Sequence, residues 1–258
     1  MLNRRAYTRR EFLQTAALGA GALAAGCVKT VELPQQTIED MTILARPGTP
    51  TGTATTGFTA LGLGTPRDGL LYVPPSYVPT TPMAMLTLLH GGAHSSDEWR
   101  AHQSLFDEAG LLVVAPDSRE SSWDLLLNGL YGPDVTFMDA ALAKVFTMVN
   151  VDANHVAIGG FSDGASEALG LGIANGDLFS TVIAFSPGKL FGPFRRGEPA
   201  FFVSHGTEDQ VVPFSRSSNQ IVPALQAVFS TVTFVQFAGG HEVPTEVARQ
   251  AYTMVKSA

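Results

Sequence analysis

The sequence predicts an α/β protein, a mostly parallel sheet with helices on both faces. Three observations carry that expectation. Short apolar runs recur along the chain with helical stretches between them. Most of these runs are continuous rather than alternating, as strands covered on both faces require. The glycine-bounded polar motifs fall just after such runs, where sheets of this kind carry their sites. The length of 258 residues suits one such domain with some extra sequence. A hydrophobic fraction of 45% supplies a sizeable core. The net charge of −7 and pI near 5.3 oppose nucleic-acid binding, which wants a basic face.

The first residues stand apart from that core. Thr8-Arg9-Arg10-Glu11-Phe12-Leu13-Gln14 resembles a twin-arginine export signal. The apolar, small-residue segment 15–25 that follows is too short to span a bilayer. It ends in Ala24-Ala25-Gly26-Cys27, similar to a bacterial lipoprotein lipobox whose cysteine is acylated. Ala24 departs from that pattern, because a larger aliphatic residue is usual there and Leu23 comes one place early. Cys27 is the only cysteine, which excludes an intramolecular disulfide or a cysteine-built metal site. A plainly cleaved signal with a chance cysteine is the alternative. The expected organisation is a signal peptide over 1–26, an anchor and Pro/Gly/Thr-rich tether over 27–67, and the α/β domain over 68–258. Export leads to the periplasm or cell surface, with the membrane reached through the lipid on Cys27 alone. Within the tether, every residue from 47 to 57 is Pro, Gly, Thr or Ala, which buries little.

The elements follow in order. Apolar runs at 70–73, 83–89, 111–115, 156–158, 182–185, 201–203 and 232–237 predict strands. Residues 41–45 leave room for an edge strand. Helical patterns occupy 99–109, 137–149, 165–174, 217–229 and 243–255, with Pro244 suited to the first turn of the last.

Four motifs then mark one site. The run Val-Ala-Ile-Gly-Gly-Phe-Ser-Asp-Gly, ending at Gly164, has the form of a nucleophile elbow: a strand, a serine two residues from glycine on each side, then a helix. The turn is strained, and Gly160 and Gly164 let neighbouring elements close on it. Free amide N–H groups at the helix start favour a developing negative charge beside Ser162. Asp209 follows one later strand and His241 another. Histidine can take the serine's proton and deliver it to a leaving group, and the aspartate would fix its tautomer. Leu-Leu-His90-Gly91-Gly92 ends an early strand, so the backbone N–H of Gly92 and that of Asp163 can converge as an oxyanion hole.

These four motifs and the order Ser162, Asp209, His241 resemble the phospholipase/carboxylesterase branch of the α/β-hydrolases. The chain looks close to dienelactone hydrolase-like and exported polyhydroxybutyrate depolymerase-like esterases. It rests on Leu-Leu-His-Gly-Gly, Gly-Phe-Ser-Asp-Gly-Ala, Ser-His-Gly-Thr-Glu-Asp-Gln-Val-Val-Pro and Gly-Gly-His-Glu-Val-Pro, and spans about residues 68–258. The resemblance implies an α/β-hydrolase fold and a cofactor-free serine esterase working through an acyl-enzyme on small or surface-presented esters.

Other readings stay open at this point: a polyester depolymerase, a phospholipase, an acetyl or feruloyl esterase, a peptidase, or a non-catalytic surface-binding protein on the same scaffold. Glu208 rivals Asp209, and Asp163 also suits a helix-start acid. His90 and His205 are expected to order their own loops, and His94, His102 and His155 to be surface or helix-cap residues. No His/Asp/Glu spacing fits a metal. Few residues separate the strands at 182–185 and 201–203, so no sizeable lid domain fits there.

Overall fold

The computed structural model describes residues 36–192 and 194–257. The signal segment and Cys27 lie outside the described residues. Eight strands form one sheet: β1 (Gly57–Ala60), β2 (Gly69–Val73), β3 (Met83–Leu89), β4 (Leu112–Pro116), β5 (Val151–Phe161), β6 (Thr181–Phe185), β7 (Ala200–Gly206) and β8 (Val232–Phe237). Their spatial order is β1-β2-β4-β3-β5-β6-β7-β8. β1 and β2, and β2 and β4, run antiparallel, and every other neighbouring pair is parallel. The helices are α1 (Gln103–Ala109), α2 (Asp124–Asn128), α3 (Pro133–Met148), α4 (Asp163–Ala174), α5 (Val222–Gln226) and α6 (Thr245–Met254).

Side-chain alternation explains the continuous apolar runs. In β2, Leu71 and Val73 join one buried cluster, while Leu70 and Tyr72 join the other. The first cluster packs the sheet against α3 and α4, through residues such as Met138, Leu142, Ala168 and Leu169. The second packs it against α1 and α6, through Phe106, Ala248 and Tyr252. Residues of β2, β4, β6 and β7 thus face apolar neighbours whichever way they point.

Several elements differ from the sequence expectation. β1 opens on glycine and is only partly buried, and α2 is five residues long, so neither gives a periodic signal. The helix expected over 217–229 begins instead as a π-helical turn, Ser217–Ile221. Pro223 follows it in the first turn of α5, where its missing N–H and its ring break the regular hydrogen-bond ladder. Pro244 caps α6 in extended conformation rather than sitting inside its first turn. His102 stands at the N-cap of α1, one of the two placements expected for it, and is half-buried: its Nδ1 lies 2.7 Å from the Tyr252 hydroxyl beside Trp99 and Phe106, and burial lowers its pKa to about 4.

The largest correction concerns the tether. The packed body begins at Gln36, not at residue 68. Met41 and Ile43 are fully buried in the core that covers α3 and α4. The Asn175 side chain accepts the Ile43 N–H at 2.8 Å and donates to the Met41 carbonyl at 2.7 Å. Asp139 accepts the N–H groups of Leu44 and Ala45, both at 2.7 Å. Even the Pro/Gly/Thr/Ala stretch is tied down, because Thr51 and Gly52 donate to the Thr147 carbonyl. The partners lie about a hundred residues downstream, which is why local composition suggested free chain.

Candidate active site

The strand order reverses at β3: β4 lies on one side of it and β5, the next strand in sequence, on the other. The loops after β3 and β5 therefore leave the sheet side by side, and Leu89 pairs with Gly160 at their ends. This is the crevice where open α/β sheets bind ligands.

Ser162 sits there with φ +56° and ψ −114°, a backbone conformation that costs a non-glycine residue about 1–3 kcal/mol. The Ser162 N–H donates to the Phe185 carbonyl and the Ser162 carbonyl accepts the Ser166 N–H, fixing the turn between β5 and α4. The flanking glycines are required by close backbone approach. A Cβ on Gly160 would lie 2.5 Å from the Gly164 carbonyl, and one on Gly164 would lie 2.2 Å from the Leu89 oxygen.

The structure brings Ser162, His241 and Asp209 together from three loops. His241 Nε2 is 2.8 Å from Ser162 Oγ, and His241 Nδ1 is 2.6 Å from Asp209 Oδ2. A carboxylate only accepts, so Nδ1 carries the proton and Nε2 is left to accept the serine hydroxyl. Phe161 packs its ring on the imidazole at 4.6 Å. Asp209 Oδ1 accepts the N–H groups of Val211 and Val212, both at 2.8 Å. Burial by itself raises the Asp209 pKa, but the hydrogen bonds from His241, Val212 and Val211 outweigh it and hold the carboxyl below its ordinary range. Glu208 is exposed and takes no part in this chain of bonds.

Gly92 and Asp163 adjoin across the crevice. A Cβ on Gly92 would lie 2.5 Å from Asp163 Oδ2. Neither backbone N–H donates to any acceptor among the described residues. The Gly91 N–H donates to Glu98, and the Ala93 N–H to the Ser121 carbonyl, so the loop is held from both sides. Asp163 accepts a 2.6 Å hydrogen bond from Ser122 Oγ, a tie between the β4 loop and the elbow that no sequence spacing revealed.

His90 organises the β3 loop from within. Its Nε2 accepts the Ser118 N–H at 3.0 Å, so its Nδ1 donates to the Gly91 carbonyl at 2.7 Å. Burial lowers its pKa to about 4, which keeps it neutral. Trp123, 1% exposed, donates its indole N–H to the His90 carbonyl and is core rather than cleft. Among the described residues no group of three or more His, Cys, Asp or Glu is arranged to hold a metal ion.

Fold and strand order are those of the α/β-hydrolase fold, the architecture that the resemblance drawn from the motifs implied. The family model described as Phospholipase/Carboxylesterase matches residues 136–257, just under half of the chain. A probable feruloyl esterase C of Aspergillus niger is 26% identical over 157 residues, 57% of this chain and 57% of that protein. The chain thus spans little more than half the length of this curated relative. Among solved structures, the s-formylglutathione hydrolase (FrmB) of Staphylococcus aureus superposes with TM-score 0.62 at 14% identity, covering 78% of this chain and 99% of that one. Est1E from Butyrivibrio proteoclasticus does so with TM-score 0.58 at 15% identity, covering 79% and 100%.

Proposed function

We propose that this protein is a serine esterase that cleaves carboxylic esters through an acyl-enzyme intermediate. Ser162 Oγ attacks the carbonyl while His241 Nε2 takes its proton, and Asp209 stabilises the resulting imidazolium. The carbonyl oxygen, now negative, is received by the N–H groups of Gly92 and Asp163. His241 returns the proton to the departing alcohol, and water then repeats the sequence on the acyl-serine. The observation that carries this reading is the unbroken chain from Ser162 Oγ through His241 to Asp209, at 2.8 and 2.6 Å.

The substrate reading draws on the names of the relatives and on the short connection between β6 and β7. The feruloyl esterase names point to aromatic-acid esters. Among the described residues of 186–199 there is no helix or named strand, so this connection contributes no lid domain there, which suits soluble or surface-presented esters. A fluorophosphonate probe should label the wild type and leave Ser162→Ala untouched. Methyl ferulate and short to medium p-nitrophenyl esters should turn over best. Equal labelling of Ser162→Ala would reject the nucleophile, and strong preference for long acyl chains at an oil interface would reject the open site.

Location is a second part of the proposal: twin-arginine export, with Cys27 acylated. Eight residues separate Cys27 from Gln36, where the packed body begins. Mass spectrometry of the mature N-terminus should find a lipidated Cys27, and an unmodified residue there would remove the anchor.

A further inference from the structure

His205 lies at the end of β7, fully buried, and takes no part in the chemistry described above. Its Nε2 is 2.9 Å from the Val212 carbonyl oxygen. A carbonyl only accepts, so Nε2 carries the proton and donates it. Nδ1 is then the acceptor for the Ser217 hydroxyl at 2.7 Å, which locks the tautomer. Phe214 packs edge-on against the ring at 5.9 Å. Val212, the residue whose carbonyl His205 holds, uses its own N–H to grip Asp209 Oδ1. Asp209 Oδ2, the oxygen facing His241, lies 3.2 Å from that same His205 Nε2.

We propose that His205 is a positioning residue for the triad: it holds the 209–212 turn closed and aims the Asp209 carboxylate at His241, with Ser217 fixing its tautomer. The inference rests on the serine esterase reading. Without the His205 N–H, the Val212 carbonyl loses its protein donor and the turn can relax. The carboxylate then loses both the Val212 N–H and the positive edge of the imidazole. The consequence falls on the bond between Asp209 and His241 Nδ1, and so on transition-state stabilisation rather than on substrate binding.

Two substitutions separate positioning from packing. Gln places an N–H₂ near the Nε2 position, so His205→Gln retains the donor to Val212. Asn reaches only the Nδ1 position, so His205→Asn fills much of the space but loses that donor. A hydrogen bond to a charged or charge-supporting group corresponds to about a tenfold change or more in rate. The expected result is a fall in kcat of about tenfold for His205→Asn with KM within about twofold, and recovery of most of the loss in His205→Gln. Ser217→Ala, a smaller change, should lower kcat by a few-fold. The downfield NMR resonance of the His241 Nδ1 proton gives a readout independent of turnover. It should persist in wild type, Ser162→Ala and His205→Gln, and broaden or vanish in folded His205→Asn. An unchanged resonance and kcat in His205→Asn would overturn the proposal, as would equal damage by Asn and Gln. Full activity in Ser162→Ala would instead sink the esterase reading, while the resonance would still report on His205.

Discussion

Replacing Gly164 by alanine tests whether the elbow is as tightly built as its glycines indicate. A Cβ at that position would lie 2.2 Å from the Leu89 carbonyl oxygen and 2.5 Å from that of His90. Both obstacles are backbone, Leu89 in the β3–β5 ladder and His90 directly after it, so neither can swing aside as a side-chain tip would. Contact becomes tolerable only near 3.2 Å, so the start of α4 must retreat by about 1 Å. Overpacking of this kind costs about 1–3 kcal/mol. For a protein of this size that is a fall in Tm of about 3–9 °C. The retreat also draws Ser162 away from His241 and the Asp163 N–H away from Gly92. A misplacement of about 1 Å costs roughly a hundredfold in rate. Thermal denaturation and hydrolysis of a p-nitrophenyl ester read the two effects. Gly240→Ala is the control, since a Cβ there meets nothing within 4 Å. Wild-type Tm and kcat/KM in Gly164→Ala would refute the steric argument, as would equal losses in Gly240→Ala.

Three further outcomes follow from named contacts. Asp209→Asn should retain the fold and lose several orders of magnitude in kcat, because an amide no longer fixes the imidazole tautomer; activity within tenfold of wild type would contradict the assigned role. Asn175→Ala removes the side chain that ties Met41 and Ile43 to α4, and should lower stability by about 1–3 kcal/mol in denaturant titration; no loss would mean that the upstream segment adds nothing to the fold. Glu167 is fully buried, its carboxyl oxygens find no partner among the described residues, and burial, with Asp134 and Asp124 nearby, holds its pKa well above 4.5. The folded chain thus keeps a proton that the unfolded chain releases, so this stability is complete below about pH 4.5 and declines as pH rises toward the folded value, by up to about 1.4 kcal/mol per pH unit. Glu167→Gln should therefore gain stability over wild type at pH 8 relative to pH 5, and a constant difference would show that Glu167 does not titrate.

The sequence was legible where local chemistry and tertiary placement coincide. A strand covered on both faces must be apolar on both, so the runs that became β3, β4, β6 and β7 announced themselves. An elbow must have glycine two residues on either side of its serine, since any side chain there meets backbone. Legibility failed where a partner is distant. Nothing in the stretch 36–56 shows that Asn175 and Asp139 will hold it, so an anchored segment read as a tether. The contact of His102 with Tyr252 was hidden for the same reason, as Tyr252 comes from the other end of the chain. The tie from Ser122 to Asp163 and the hold of His205 on Val212 have no spacing signature either. They exist only once the sheet has set the loops side by side.

The backbone shows why the chemistry gathers at this one edge. The non-glycine residues with left-handed φ among the described residues are Ala93, Ser162 and Ser186. They follow β3, β5 and β6, three strands adjacent in the sheet. Each such residue costs about 1–3 kcal/mol, so its conformation persists only where the surroundings over-determine it. Here the ladder itself continues past the strand ends. The Ser162 N–H reaches the Phe185 carbonyl, and the Ser186 N–H reaches the Ser204 carbonyl. The strained serine at 162 is thus the last rung between β5 and β6, and the next strained serine joins β6 to β7, the strand that leads to Asp209. Rigid strands set the separation of the loops, and the strain turns a side chain out of the sheet at the point where that separation is fixed. A loop long enough to relax would lose the 2.8 Å approach between Ser162 and His241, so the distortion and the alignment of the site have one structural cause.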